Sequence, residues 1–224
     1  MRRAVVIASV VVVLFLAGVT MVPRGESQAA PAMSGWIDIM PQPSFRDWTR
    51  VAIPPDRMLA QHSQWSVDAA KQTLVCAGDG GHEWLRYSRE LNDFLFHVEW
   101  RLTPHERGKG YNSGVFVRNN DNGSIWYQAQ VGSAGSGYWF GYDNPAQKGP
   151  ISFNLKSQMK VNAVKPAGEW NTFDIRCQGA QLVLKVNGIA ASEFDQCRNL
   201  KGYLGLEAEG SRIEFRNVRI KILN

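Results

Sequence analysis

The sequence predicts an all-β domain folded as a two-sheet jelly-roll sandwich. From Trp48 onward, short segments of alternating apolar and polar residues are separated by turn residues, a pattern typical of sandwiches. After the first 29 residues there is no internal repeat and no long helical periodicity. With 224 residues, of which 44% are apolar and 20% charged, the chain is long enough to bury the core of one globular domain.

The clearest strand is predicted at "DFLFHVEWRL", residues 93–102. Apolar and mostly polar side chains alternate along it, which places the two sets on opposite faces of a sheet. The sequence therefore predicts one buried face, formed by Phe94, Phe96, Val98, Trp100 and Leu102.

A hairpin is predicted where "SGVFVR" and "SIWYQAQV" are joined by "NNDNG", because Asn122-Gly123 is a strong tight-turn signal. Further strands are expected at "WNTFDIRC", "QLVLKVNG", "GYLGLEAE" and "RIEFRNVRIKIL". Residues 132–168 are rich in Gly, Ser, Asn and Lys, and they are expected to form a long irregular binding loop over one sheet face.

The N-terminus is expected to direct export. "MRR" is followed by an apolar stretch over residues 4–22 and by the small residues "SQA", as in a secretory signal. The apolar stretch approaches the length of a membrane span, so a cleaved signal and an uncleaved anchor both fit residues 1–29. The protein is therefore expected to be periplasmic or extracellular, with a membrane contact only through residues 4–22. Residues 30–47 are expected to be a lead-in, and residues 48–224 the sandwich domain.

Charge and cysteine content exclude several classes of function. The formal net charge is +5, and the basic residues are scattered, so nucleic-acid binding is not expected. Cys76, Cys177 and Cys197 fit three buried thiols, and a bridge between Cys177 and Cys197 is the alternative. No C-x-x-C spacing is present, which argues against a zinc site or a redox motif.

Familiar catalytic templates are missing. The sequence contains no G-x-S-x-G, no H-E-x-x-H and no glycine-rich phosphate loop after a strand, so neither a cofactor nor a metal is predicted. Glu207 and Glu209 in "GLEAEGSR" form the one acidic pair on a single strand face. Alternate strand residues lie about 6.5–7 Å apart, which is compatible with acid/base chemistry. A solvated pair before a turn is the alternative interpretation.

One strand face carries groups suited to a sugar. Trp126, Gln128 and Gln130 alternate in "WYQAQ", so an aromatic face lies beside two amides. Gly114, Phe116 and Arg118 alternate on the neighbouring arm, which predicts that Arg118 projects onto the same face. Aromatic, amide and guanidinium groups together suit a neutral polyhydroxylated ligand. The sequence therefore predicts carbohydrate as the partner. The alternative is a solvated sheet face with an incidental tryptophan, or a Trp126 packed beneath the long loop.

Several segments, taken together and in order, carry a family resemblance. "NSGVFVR", "GEWNTFDI", "VNG" and "EFRNVRI" resemble the 3-keto-disaccharide hydrolase family over roughly residues 35–224. The resemblance implies a concanavalin-A-like jelly roll and export from bacteria. It also implies cleavage of glycosidic bonds in sugars oxidised at carbon 3. A ketone there acidifies the proton on carbon 2, so the leaving group departs by elimination and water adds back, which requires a base and enolate stabilisation.

The chain departs from its relatives on the strand that carries Trp126. Many members of that family have glutamate at the position of Gln128 and glutamine at the position of Gln130, so this chain has an amide where they have a carboxylate. We therefore expect the amides, Asn112 and Arg118 to orient hydroxyls or stabilise an oxyanion. The alternatives are a non-catalytic sugar-binding module and a structural envelope protein. The predicted catalytic residues are Glu207, Glu209 and Gln128, and the predicted substrate-binding residues are Asn112, Arg118, Trp126, Gln130 and Trp139.

Overall fold

The computed structural model describes residues 35–105, 110–145 and 149–223. The predictions for residues 1–34, including the export signal, lie outside the described residues. In the part of the chain that is described, no helix is long and apolar enough to cross a membrane. The strands are β1 (Ile37–Asp38), β2 (Trp48–Ala52), β3 (Trp65–Asp68), β4 (Thr73–Cys76), β5 (Glu83–Tyr87), β6 (Phe94–Leu102), β7 (Ser113–Asn119), β8 (Trp126–Val131), β9 (Trp139–Asp143), β10 (Ile151–Asn154), β11 (Asn171–Gln178), β12 (Gln181–Val186), β13 (Ile189–Phe194), β14 (Tyr203–Ala208) and β15 (Ile213–Ile222).

The strands form two antiparallel sheets, which confirms the predicted two-sheet sandwich. The seven-stranded sheet has the order β10-β9-β8-β7-β14-β5-β2. The eight-stranded sheet has the order β13-β12-β11-β6-β15-β4-β3, and β1 pairs with β15 outside this path. Strands distant in sequence, such as β7 and β14, are therefore neighbours, and the long-range pairing brings together residues from both halves of the domain.

The core lies between the two sheets and follows the predicted alternation. The five residues of β6 that were predicted to face inward are at most 2% exposed, and they pack in one hydrophobic cluster with residues from β8. From β8 the core takes Tyr127, Ala129 and Val131, so Trp126, Gln128 and Gln130 lie on the opposite face, which is the outer face of the seven-stranded sheet.

One expectation about chain organisation is corrected, and one pair of alternatives is decided. The region 132–168 is not one irregular loop, because Trp139–Asp143 and Ile151–Asn154 form strands that extend the seven-stranded sheet. Of the two cysteine alternatives, the structure has three free, buried thiols. Burial raises the pKa of the Cys76 thiol to about 12, so this cysteine stays protonated at neutral pH.

Candidate active site

A cleft of about 400 Å³ opens on the outer face of the seven-stranded sheet. It contains most of the residues that the sequence singles out. Its lining comes from β5, β7, β8, β9 and β14, from the segments that flank them and from the segment after β2. The described residues that line it are Ile53, His82, Trp84, Asn112, Phe116, Asn119, Gly123, Trp126, Gln128, Gln130, Tyr138, Phe140, Glu207 and Glu209.

Three ionisable side chains meet at one end of the cleft. His82 lies just before β5, and Glu207 lies on β14, which pairs with β5. The Nε2 atom of His82 is 2.9 Å from Oε1 of Glu207 and 3.8 Å from Oε2 of Glu209. The side chain of Glu207 is 3% exposed, whereas those of His82 and Glu209 are 27% and 37% exposed. Glu207 is therefore the buried member of the three, and His82 and Glu209 are more open to the cleft.

Burial and pairing shift the pKa values of His82 and Glu207. Burial raises the pKa of the Glu207 carboxyl above its usual range, although hydrogen bonds from His82 and Gln128 oppose that shift. For His82, burial lowers the pKa, but the hydrogen bond and charge of Glu207, with the charge of Glu209, outweigh burial and raise it. Both shifts favour a proton held between the imidazole and the buried carboxylate.

Amide side chains hold the two carboxylates in place. Gln128 Nε2 donates to Oε2 of Glu207 at 2.7 Å, and Asn112 Nδ2 donates to Oε2 of Glu209 at 2.5 Å. Gln130 Nε2 donates to Oδ1 of Asn112 at 2.9 Å. The predicted polar residues Asn112, Gln128 and Gln130 therefore form one hydrogen-bonded network with the acidic pair.

A glycine on β7 makes room for this network. A Cβ added at Gly114 lies 2.2 Å from Nε2 of Gln128, well inside van der Waals contact. Gly114 pairs with Gln130 and the next inward residue, Val115, pairs with Leu206. The Gln128 amide therefore crosses above the bare backbone of β7 to reach Glu207 on the strand beyond.

The prediction for Arg118 is wrong. Its side chain is 0% exposed, and its guanidinium donates to the carbonyls of Asn92 and Gly179 and to Asp93. The cause is a bulge, since φ of Arg118 is 53° and the pairing of β7 with β14 slips by one residue there. The bulge reverses the alternation, and Asn119 lines the cleft instead.

The prediction for Trp139 is also wrong, by one residue. Trp139 pairs with Ala129, and both side chains are fully buried in the core. Its neighbours Tyr138 and Phe140 line the cleft instead. Trp126 is half-buried and does lie in the cleft, where its ring centroid is 5.1 Å from that of Phe140.

The sequence interpretation missed His82. It lacks any metal-binding spacing to another histidine, and it lies 125 residues from Glu207 in the chain. One signal was available in the sequence: His82 lies two residues before Trp84, so the two side chains are expected on the same face of β5. Nothing local indicates that β5 pairs with β14, with Trp84 opposite Glu207.

The same three groups offer a set of metal-ligand atoms, although the sequence predicts no metal. One imidazole nitrogen and two carboxylate oxygens, from His82, Glu207 and Glu209, lie within 4.8 Å of one another, and such atoms can hold a divalent cation. A cation would compete with the hydrogen bonds from Gln128 and Asn112.

Residues 35–221 match the sequence model of the 3-keto-alpha-glucoside-1,2-lyase-like domain. The chain belongs to this family. The match confirms the resemblance found in the ordered sequence segments. A comparison of this lyase-like domain with curated protein sequences found no match.

Solved structures with the same fold include sugar-binding and sugar-cleaving proteins. The carbohydrate-binding module CBM66 from Bacillus subtilis superposes with a TM-score of 0.58 at 13% identity, over 78% of this chain and 95% of the module. A putative glycosyl hydrolase from Parabacteroides distasonis has a TM-score of 0.57 at 19% identity, over 84% of this chain and 99% of that chain. A LamA variant from Zobellia galactanivorans, in complex with laminaritriose and laminaritetraose, has a TM-score of 0.52 at 12% identity, over 78% and 92%. The lyase-like domain therefore has the jelly-roll fold of carbohydrate-active proteins.

Proposed function

We propose that the protein cleaves the glycosidic bond of 3-keto-glycosides in the cleft of the seven-stranded sheet. The observation that carries this proposal is the meeting of His82, Glu207 and Glu209 beside neutral amides, in a member of the lyase-like family. The cleft supplies acid and base groups to a ligand that is itself rich in hydroxyls and uncharged.

The chemistry follows from the ketone at carbon 3 of the substrate. A base removes the proton on carbon 2, and the electron pair of that C–H bond moves into an enolate. The bond from carbon 1 to the leaving-group oxygen then breaks, a double bond forms between carbons 1 and 2, and the ketone is restored. The leaving oxygen takes a proton. Water subsequently adds to carbon 1 while a proton returns to carbon 2, which completes a net hydrolysis.

Glu209 is the best-placed base. Its half-exposed carboxylate faces the cleft, and the hydrogen bond from Asn112 fixes its orientation. An amide nitrogen carries two N–H donors, so Asn112 can hold Glu209 with one and bind the enolate oxygen with the other. Such a donor stabilises charge that develops only as the proton leaves.

His82 is the best-placed acid. Its pKa is raised by the hydrogen bond and charge of Glu207, which outweigh the effect of burial, so it carries a proton closer to neutral pH. Gln128 acts as a positioning residue, because its amide binds the far oxygen of Glu207. In this arrangement the amide at position 128 needs no proton-transfer chemistry of its own.

Hydrogen–deuterium exchange at carbon 2 tests the base directly. A 3-keto-glucoside is incubated with the protein in D₂O, and NMR follows exchange at carbon 2 and release of the leaving group separately. We expect Glu209→Gln to slow both by about 10²–10⁴-fold. Glu193→Gln is the matched control, because Glu193 has a similarly exposed side chain at 40% and lies on the other sheet. The proposal fails if folded wild-type protein leaves 3-keto-glucosides intact at high loading.

A second candidate function is sugar binding without turnover. The observation that favours it is Gln128, which lies where the family resemblance implies glutamate in many members, and whose amide is already bonded to Glu207. In this case, calorimetry detects saturable glycoside binding while exchange at carbon 2 stays at the uncatalysed rate.

A further inference from the structure

The cleft has two chemically different ends. His82, Glu207 and Glu209 lie at one end together with their amide partners. The other end, here called the aromatic end, consists of Phe116, Trp126 and Phe140. The pairing register places these three around Gln128, since Phe116 and Phe140 pair with it from either side and Trp126 lies two residues before it on β8.

The rings of the aromatic end support one another. The ring centroid of Trp126 lies 5.9 Å from that of Phe116 and 5.1 Å from that of Phe140, both in edge-to-face geometry. Tyr142, which pairs with Trp126, contributes a tilted contact at 5.6 Å. Edge contacts of this kind fix the indole while leaving its own exposed surface available to a ligand.

Hydrogen-bonding groups are scarce at this end. Asn119 lines the cleft there, but it is 1% exposed and its Oδ1 accepts the backbone N–H of Tyr127. Tyr138 also lines the cleft and packs on Phe140 at 5.9 Å, so it adds a ring and one hydroxyl to this end. Among the described residues that line the cleft, the histidine and the carboxylates are all at the end that contains His82, Glu207 and Glu209, and none is Lys or Arg. A hexose at the aromatic end would leave hydroxyls without partners after losing their water.

The chemistry decides which part of the substrate occupies each end. The reacting ring carries the ketone, the hydroxyls and the carbon 2 proton, so it belongs beside Glu209 and Asn112. Residues 126 and 130 are four apart on one strand, a span of about 13 Å. This span is longer than one sugar ring, so the cleft has room for an aglycone beside the reacting ring.

We propose that the aromatic end is a leaving-group subsite that selects 3-keto-glycosides with aromatic or apolar aglycones over 3-keto-disaccharides. The inference rests on the proposed function and names the substrate class of the same site. It follows from Trp126, Phe116 and Phe140 lying beyond the acid and base groups, where the aglycone must extend. An apolar aglycone gains by leaving water for this surface, whereas a second sugar gains far less.

The test compares three 3-keto-glucosides, with methanol, 2-phenylethanol or a second hexose as the leaving group. All three leaving groups are aliphatic alcohols that take up a proton as they depart, and methanol and 2-phenylethanol are similarly acidic, so this pair reports binding at the aromatic end rather than the chemistry of bond cleavage. We expect kcat/KM for the 2-phenylethyl substrate to exceed that for the other two by about tenfold or more. Trp126→Ala is expected to abolish this preference, because it lowers kcat/KM for the 2-phenylethyl substrate by about tenfold more than for the methyl substrate.

Trp36→Ala is the matched control, because Trp36 is also a half-buried tryptophan but contacts His97 and Arg219 of the eight-stranded sheet. It is expected to keep the preference. Equal kcat/KM for all three substrates in the wild type overturns the inference while the proposed function stands. An equal loss on all three in Trp126→Ala, with the fold checked by circular dichroism, also overturns it. If no substrate turns over, the proposed function fails, and titration with methyl and 2-phenylethyl glucosides decides the inference through their affinities.

Discussion

The pKa of a glutamate is shifted in opposite directions on the outer faces of the two sheets. On the cleft face, burial raises the pKa of Glu207, and hydrogen bonds from His82 and Gln128 only partly offset it. On the outer face of the eight-stranded sheet, burial also acts to raise the pKa of Glu99, but hydrogen bonds from Asn217 and Arg216 outweigh it and lower the pKa. Glu207 is more deeply buried, at 3% against 15% exposed, and the neighbouring charge of Glu209 also raises its pKa. Their partners differ as well, since Glu99 has a guanidinium whereas Glu207 has an imidazole and an amide.

The partners on the eight-stranded sheet form a stabilising arrangement. Arg216 binds Glu99 at 2.7 Å, and Arg101 binds Glu214 at 2.5 Å. Both guanidiniums also stack over the ring of Trp170, at 4.0 and 4.6 Å from its centroid. These two carboxylates therefore each have a permanent countercharge. The cleft instead concentrates two carboxylates on one titratable cation, which suits proton transfer better than stability.

Removing one cation from each face gives the largest contrast in stability. His82→Leu leaves the 3%-exposed carboxylate of Glu207 without an ionic partner, and we expect it to lower the free energy of unfolding by about 2–4 kcal/mol. Arg216→Leu is expected to cost about 1 kcal/mol or less, because its side chain is 38% exposed and Glu99 keeps Asn217. Urea unfolding with a common m-value measures both.

The pH dependence of the His82→Leu effect carries a definite sign. The pKa of His82 is raised in the folded protein, so its stabilisation is fully present below the unfolded histidine value of about 6.5. It is lost as the pH rises through the folded value. The gap between wild type and variant must therefore shrink on going from pH 6 to pH 9. A gap that widens would show that ionisation of the buried Glu207 carboxyl, rather than the charge on His82, controls the pH dependence.

A substitution of smaller effect places a second carboxylate beside Glu207. In Gln128→Glu, the donor that lies 2.7 Å from Oε2 of Glu207 is replaced by a like charge. We expect a loss of about 1–3 kcal/mol at pH 8, and recovery toward pH 5 as the coupled pair takes up a proton. Thermal melts across this range measure the change.

The matched substitution for Gln128→Glu is Gln181→Glu on the eight-stranded sheet. Oε1 of Gln181 accepts from Arg176 at 2.5 Å, so a carboxylate there gains an opposite charge and stability is expected to hold or rise slightly. The exchange assay at carbon 2 gives a second measurement on Gln128→Glu. Faster exchange than in wild type would assign position 128 a role in proton transfer and contradict its role as a positioning residue.

Local alternation predicted the strand faces, but it could not predict where alternation breaks. The buried face of β6 and the outward position of Trp126, Gln128 and Gln130 follow from a period of two, which depends only on neighbouring residues. The prediction for Arg118 is wrong because a one-residue bulge, with φ of 53° at Arg118, turns its side chain to the opposite face of the sheet. A bulge has no reliable local signal in the sequence. The prediction for Trp139 is wrong because pairing with Ala129 decides which face of the sheet its side chain occupies, and the sequence of its own segment does not.

For Glu207 and Glu209 too, local alternation predicts the strand face but not the residues that lie across the sheet. Alternation placed Glu207 and Glu209 on one face, but their burial depends on what lies across the sheet. The solvated alternative is wrong for Glu207, which is 2% exposed. Its partner His82 comes from a different strand pair, and only the order of strands in the sheet brings the two together. Sheet order is fixed by packing of the whole domain, which no short segment encodes.

The smallest expected effect tests the other side of the comparison, through Glu99. Its lowered pKa means that its ionised form contributes stability above the unfolded glutamate value of about 4.3, and that this contribution disappears as the pH falls through the folded value. Glu99→Gln is therefore expected to cost less than about 1 kcal/mol between pH 5 and 8, and nothing at pH 3. Urea unfolding at both ends of the range measures the difference. A cost that persists at pH 3 would show that packing rather than charge explains the Glu99 contribution, and the contrast between the two faces would then rest on His82 and Glu207 alone.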